Sequence, residues 1–267
     1  MAKTGTGQYA AAADAIRADI AGGALAPGEW LPSEAGIMDR YQVSRYGARE
    51  ALKRLAGEGL IITVDGKGSH VRPRRERATY AALRGLTQHT DSDRRVRYRD
   101  TELHDWHPVA EPGRYRSTAT TDLALSLGVP EHTPVFVYDR LLAHHPEHTP
   151  GAGTRGGEEE RRMVHRLYLP VTTCTDIPAL TEDPFRTPDE LYTLLIEAGR
   201  ELRWTEHVRA TTPTPHDTTT LTIPTATPVL ITRRVSTSPD GRPIAMEETR
   251  RSAEDTQLSY PQIPSTE

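Results

Sequence analysis

What this sequence lacks limits its chemistry. Of 267 residues only Cys174 is a cysteine. One thiol closes no internal disulfide, so a reducing cytoplasm is the natural compartment. No Cys or His stands at ligand spacing from it, which favours an inert thiol over a redox or metal centre. Lysine stops at Lys67, so nothing beyond it can form a Schiff base and an aminotransferase-type enzyme is excluded. There is no phosphate-binding glycine loop, no G-x-S-x-G elbow and no paired-cysteine motif. No apolar run approaches bilayer length, and Met1-Ala2-Lys3 leads into no signal-peptide core. Three histidines, at 144, 145 and 148, lie among Pro and Gly in a stretch (144–162) read as a long solvated loop rather than a metal site. The expectation is a cytoplasmic protein with no catalytic residues, no cofactor, no metal and no membrane segment.

Charge is present but unevenly placed. The formal net charge is −4. Residues 1–77 hold 12 Lys/Arg against 9 Asp/Glu, whereas the rest hold 21 against 28. A basic head on an acidic body suits a polyanionic partner for the head, with the body's charge discouraging stray contact.

The most informative stretch runs from Leu31 to Leu60. Ile37, Met38 and Tyr41 share one helical face. After the break at Gln42-Val43, Ala48, Ala51, Leu52 and Leu55 take the spacing of a buried stripe. Ser44 stands at the N-cap of this second helix, read as Ser44–Ala56. Arg45, Arg49 and Lys53 recur every four residues on the opposite face. An ordinary helical hairpin with a solvated basic face fits the same pattern. A helix-turn-helix, with the second helix offered to a DNA major groove, fits it too. Upstream, Tyr9, Ala13, Ile16 and Ile20 outline a first helix. Downstream, Ile61–Val64 and Ser69–Val71 flank Asp65-Gly66-Lys67-Gly68 as two short strands of a wing, with Lys67 at its tip.

With these residues in hand, 8–73 resembles the winged helix-turn-helix of GntR-family transcription regulators. The matching segments are Gly23 to Glu34 ("G-x-L-x-P-G-x-x-L-P-S-E"), Tyr41 to Leu60 and Gly66-Lys67-Gly68. The resemblance implies DNA contacts from Ser44, Arg45, Tyr46, Gly47, Arg49, Lys53, Gly66 and Lys67. Ala35 stands where the family often has a basic residue, and Tyr46-Gly47 replaces a frequent Thr pair.

Beyond the wing, residues 76–94 read as a polar linker with a helical piece around Tyr80 to Leu86. An internal repeat follows. At an offset of 94, Leu127 to Val137 lies on Leu221 to Ile231 and Arg140 on Arg234. Second strands at Met163 to Leu169 and Ile244 to Thr249 align at an offset of 81, placing Arg166 on Glu247. Two strand–turn–strand copies imply one antiparallel sheet with pseudo-twofold symmetry, covered by helices at Asp122–Leu127 and Asp189–Ala198. If Arg140, Arg166, Arg234 and Glu247 converge near the axis, they favour an anionic or zwitterionic ligand. Ion pairs on an exposed sheet face are the equal alternative.

Residues 95–262 resemble the UTRA effector-binding domain of the HutC subfamily, on Val135 to Arg140, Tyr168-Leu169-Pro170 and Asp240 to Ile244 leading to Glu247. That likeness implies a chorismate-lyase-like antiparallel sheet flanked by helices, a homodimer contact, and effector binding by Arg140, His165, Arg166, Arg234, Glu247, Thr249, Arg251 and Tyr260. His165 departs from the Glu that often precedes that arginine, and Leu142 stands where a second Arg is frequent. The expected fold is α+β, with domains at 1–75 and 95–262. The expected function is a ligand-responsive repressor, released from a palindromic operator on double-stranded DNA by a small molecule. A constitutive DNA binder without an effector, for example on a plasmid or mobile element, is the alternative.

Overall fold

The computed structural model describes residues 6–73, 78–83, 86–90, 96–100, 102–144, 160–175, 177–254 and 256–260. They form two compact units. One comprises 6–73 with 212–218 and 223–228; the other holds the remaining described residues. The second domain, expected as one run over 95–262, is therefore interrupted in sequence.

The first unit is a winged helix-turn-helix. Helix α1 (Thr6–Ala21) buries Ala12, Ala13 and Ile16. Helix α2 (Glu34–Tyr41) starts where the Ser33 side chain accepts a hydrogen bond from the Gly36 amide, 3.2 Å away. It stops at Gln42, whose φ of 54° turns the chain out of the helix. Helix α3 (Arg45–Gly57) follows, capped by Ser44, which accepts from the Gly47 amide at 3.1 Å. Such a cap satisfies one of the four amides a helix start leaves unpaired. The stripe Ala48, Ala51 and Leu55 is fully buried against Ala13, Ile16 and Ile37. Small residues at 48 and 51 let α3 approach α1 closely. Strands β1 (Ile61–Val64) and β2 (Gly68–Val71) form the wing. Its tip needs glycine, because φ is +72° at Gly66 and +104° at Gly68.

The second unit opens with strands β3 (Ala78–Leu83), β4 (Leu86–Thr90) and β5 (Val96–Asp100). The helical piece expected around Tyr80 to Leu86 is thus extended chain: β4 pairs antiparallel with β5, and β3 pairs parallel with a late strand described below. Pairing with partners distant in sequence overrides local helix preference there. A 3-10 turn (Glu102–Asp105) leads to β6 (His107–Pro108), β7 (Gly113–Thr118) and α4 (Thr121–Leu127). The long strands β8 (Pro134–His144) and β9 (Arg161–Pro170) come next, then α5 (Val171–Cys174), α6 (Pro178–Glu182) and α7 (Pro188–Glu197). Strand β10 (Arg203–Thr211), α8 (Pro215–Thr220), β11 (Val229–Thr237), β12 (Pro243–Ser252) and β13 (Thr256–Ser259), the partner of β3, complete the chain.

Seven strands make one antiparallel sheet in the order β10-β11-β12-β9-β8, with β6 and β7 both on the outer edge of β8. Helix α7 packs on the face carrying Tyr138, Leu167, Leu169 and Ala245. Helix α4 packs on the opposite face, against Val135, Val137, Val235 and Met246. Strands β8, β9, β11 and β12 are covered on both faces, with alternate residues directed to α7 and α4.

The two hairpins of the repeat, β8–β9 and β11–β12, meet where β9 pairs with β12. The registers fix the equivalence. Arg140 faces His165 in one hairpin and Arg234 faces Glu247 in the other. His165 is therefore the counterpart of Glu247, an offset of 82 rather than 81, and Arg166 is the counterpart of Glu248, which it faces at the central pair. One residue of slip moves a side chain to the other face. Arg166 accordingly lies on the α4 face, away from the other three residues expected to converge with it.

Candidate nucleic-acid interface and effector site

Helix α3 presents the first unit's cations. Opposite its buried stripe stand Arg45, Tyr46, Arg49 and Lys53, all exposed, with Tyr46 71% exposed despite its aromatic ring. Glu34 bridges both arginines: its Oε2 takes Arg45 Nε at 3.3 Å and its Oε1 takes Arg49 Nε at 2.9 Å. The Arg49 hydrogen bond holds the Glu34 carboxyl below its usual range. Ion pairs this exposed contribute little to folding and exchange readily, so the guanidiniums can turn to phosphate or guanine. Exposed Gly66 and Lys67 at the wing tip offer an open amide turn and an ammonium.

Two expected contacts are placed otherwise. Gly47 is buried, its amide is spent on the Ser44 cap, and a Cβ there would come within 3.3 Å of Val43 Cβ. Gly47 therefore packs the helix inward. Ser44 is exposed, but its oxygen caps α3, so it orients the helix.

In the second unit, the α7 face of the sheet holds a buried polar network. His165 is fully buried, with Nε2 3.0 Å from Glu247 Oε2 and Nδ1 3.1 Å from Arg140 Nη2. An arginine can only donate, so His165 Nδ1 accepts and Nε2 carries the proton to Glu247. Burial pushes the His165 pKa down, which keeps the ring neutral. Glu247 also accepts from the Tyr192 hydroxyl, and Tyr192 accepts from Ser236 at 3.1 Å. Burial alone would raise the Glu247 pKa; Arg234, His165 and Tyr192 outweigh it and hold the carboxyl at about 2.

Most of the expected effector cations already have carboxylate partners. Arg234 binds Asp100 and lies 3.3 Å from Glu206 and 3.7 Å from Glu247. Arg251 binds Glu102 and donates to Thr249 at 2.9 Å, and Thr249 bonds Thr232. Tyr260 reaches the edge of the network, its hydroxyl 2.6 Å from Glu206. Arg166, on the other face, pairs with Asp139 at 2.8 Å. The symmetry-related pair there is Arg233–Glu248 at 2.7 Å, with the charges exchanged between strands. Arg140 differs: its hydrogen bond goes to the His165 ring and not to a carboxylate, its Nε is shut off from solvent unbonded, and burial lowers its pKa. Of the eight positions expected to hold an effector, six (Arg140, His165, Arg234, Glu247, Thr249 and Arg251) share one buried network face. Sequence reading missed Asp100, Glu102, Tyr192 and Ser236. Tyr192 sits inside the apolar stripe of α7, where only its hydroxyl hints at a polar partner.

Cys174 is buried and its thiol is pushed up to about 11 by burial. His145 and His148 lie outside the described residues, and His144 stacks near Trp106, ring centres 5.5 Å apart. Among the described residues no helix is long and apolar enough to cross a membrane.

Comparison with known proteins bears on the first unit and on the fold. Residues 8–71 match the family model for bacterial regulatory proteins, gntR family. The mannosyl-D-glycerate transport/metabolism system repressor MngR of Escherichia coli (strain K12) is 33% identical over 96 residues, 36% of this chain and 38% of that protein. The HTH-type transcriptional repressor NagR of Bacillus subtilis (strain 168) is 36% identical over 77 residues, 28% of this chain and 30% of that one. The chain thus spans less than half the length of these curated relatives. A crystal structure described as a GntR-family transcriptional regulator has a TM-score of 0.58 at 22% identity, covering 97% of this chain and 98% of that one. This last likeness shows the fold.

Proposed function

We propose that this chain is a DNA-binding transcription regulator of the GntR type. The observation that carries the reading is the exposed ridge Arg45–Tyr46–Arg49–Lys53 on a capped helix, in a segment that matches the gntR model. The helix enters a major groove, Arg45 and Arg49 exchange Glu34 for guanine or phosphate, and Lys67 rests on the backbone from the wing. The second unit is a HutC-type, UTRA-like effector domain that also supplies the homodimer contact, and twofold symmetry calls for a palindromic operator. A small anionic or zwitterionic effector binds at Arg140 beside His165 and Glu247 and releases the repressor. No enzymatic step belongs to this reading.

Selection of random duplexes by the purified full-length chain, followed by sequencing, tests it. An enriched inverted repeat, bound two protomers per site, is the expected result. A set of bound duplexes with no shared sequence overturns the specific-regulator reading. A second reading, a constitutive regulator without an effector, is favoured by one observation: Arg166, Arg234 and Arg251 are already neutralised from within the fold. Operator binding that no anion alters, while sequence selection holds, would support it.

A further inference from the structure

The buried network leaves two polar atoms in one neighbourhood without partners. Arg140 Nε, on β8, and Asp189 Oδ1, in the first turn of α7, are both closed to solvent and unbonded. The two side chains act on each other through the electric field, and no hydrogen bond joins them. A buried donor or acceptor left unpaired costs free energy, and so does a buried charge, so each needs a reason.

Helix capping does not supply that reason for Asp189. The start of α7 already has a complete capping box, with Thr187 Oγ1 accepting from the Glu190 amide at 3.4 Å and Glu190 accepting from the Thr187 amide at 2.8 Å. Asp189 does accept from the backbone amide of Asp100, but Oδ1 stays unbonded. Arg140 is in a matching state: one Nη2 contact to a neutral histidine, its guanidinium 5.8 Å from the Tyr138 ring centre, and Nε idle. A guanidinium with an idle Nε on β8 and a carboxylate with an idle Oδ1 in the first turn of α7 define the two ends of a complementary guest.

We propose that Asp189 is the second anchor of the effector site and selects a ligand that joins an anion, held by Arg140, to a protonated nitrogen, held by Asp189. The chemical class is a zwitterion of the amino-acid or aminophosphonate kind. The inference rests on the effector reading of Arg140 given above and adds the residue that discriminates among anions. Anions without a donor leave Asp189 Oδ1 as they found it, closed to solvent and unbonded, and so gain less from binding.

The test uses the full-length chain and matched pairs of probes: glycine with acetate, L-alanine with propionate, L-glutamate with glutarate, and aminomethylphosphonate with methylphosphonate. Thermal shift and calorimetric titration give the affinity of each. For at least one pair the amino member should bind about tenfold tighter or better, as expected for one buried charged hydrogen bond. Asp189→Asn, checked for folding by circular dichroism, should erase the difference within that pair. Arg140→Gln should weaken both members.

A pH series separates charge from shape. The carboxyls of Asp100 and Glu247 and the Arg140 guanidinium act on Asp189, Glu190 follows it in α7, and burial pushes the Asp189 carboxyl up to about 6. The advantage of the amino member should therefore fade as pH drops through about 6 in the wild type and stay absent in Asp189→Asn. Equal binding within every pair, or no binding by any probe, overturns the zwitterion class. Preference that survives Asp189→Asn overturns the role of Asp189 while leaving the site at Arg140 standing. Binding that Arg140→Gln leaves untouched overturns the effector reading itself.

Discussion

The two units spend arginine in opposite ways. On α3 the side chains of Arg45 and Arg49 are 70% and 57% exposed, and both lean on one shared, half-buried carboxylate. In the sheet Arg234 and Arg251 are 7% and 1% exposed, each on a carboxylate of its own, Asp100 and Glu102. The first arrangement keeps cations available to an outside polyanion; the second consumes them in the fold. An arginine's role therefore follows from its burial and partner, and its presence in a motif does not decide it.

The sharpest way to break this contrast is to remove one buried partner. Arg251→Ala should lower the unfolding free energy of the full-length chain by about 3–5 kcal/mol, because it takes the arginine away from the buried Glu102 carboxylate. Urea unfolding at pH 7 measures it. The double change Arg251→Met with Glu102→Leu should recover most of the loss, since an apolar pair has no charge to strand. A single variant within about 1 kcal/mol of wild type would place Arg251 with the exchangeable arginines.

Acid titration sharpens the same point. Glu247 is held near 2, below its ordinary 4.5, so it contributes stability that is fully present above 4.5 and is lost as pH falls towards 2. Asp189 acts in reverse. Raised to about 6, it costs stability above that pH and returns it as pH falls towards its ordinary 3.8. Glu247→Gln should thus destabilise the chain at pH 7 and flatten the acid limb below 4.5, while Asp189→Asn should stabilise it at pH 7. Unfolding curves at pH 3, 5 and 7 check both signs.

For the exposed set the expected effect lies in binding. Arg49→Ala should weaken binding to the selected duplex by about ten- to a hundredfold and leave urea unfolding unchanged. Fluorescence anisotropy at fixed salt gives the first quantity. A destabilised variant with unaltered affinity would reverse the assignment.

The sequence made these two regions legible to different depths. Helix α3 declared itself because its signals are local: a cap at Ser44, a stripe at 48, 51 and 55, and cations every four residues on the far side. Gly47, expected as a DNA contact, is buried with its amide on Ser44, and a family position says nothing of which way a backbone is packed. In the sheet the strands and their pairing were readable from the repeat, but its phase was not. Sequence similarity aligned Arg166 with Glu247, while the registers match His165 with Glu247. Loop lengths absorb a one-residue slip without trace in the pattern, yet that slip decides which face Arg166 takes. Asp100 and Glu102 were out of reach for a different reason: they meet their arginines 134 and 149 residues away, and no local periodicity encodes such a meeting.

The smallest expected effect concerns the carboxylate that the exposed arginines share. Glu34 opens α2 and holds the Nε atoms of Arg45 and Arg49 in one place. Two consequences oppose each other. It competes with DNA for both guanidiniums, which weakens every complex, and it restricts their rotamers, which favours the one duplex whose acceptors match. Glu34→Gln should remove the competition and most of the restriction. Affinity for scrambled duplex should rise by about threefold or less, affinity for the selected duplex should change by less than that, and the ratio of the two should fall. The gain should shrink as salt rises, because screening already weakens a pair this exposed. Anisotropy on both duplexes at low and high salt measures all three quantities. If instead selected binding drops about tenfold while scrambled binding holds, Glu34 accepts from a base edge itself, as a carboxylate can from the amino group of cytosine, and its hold on the two arginines is secondary.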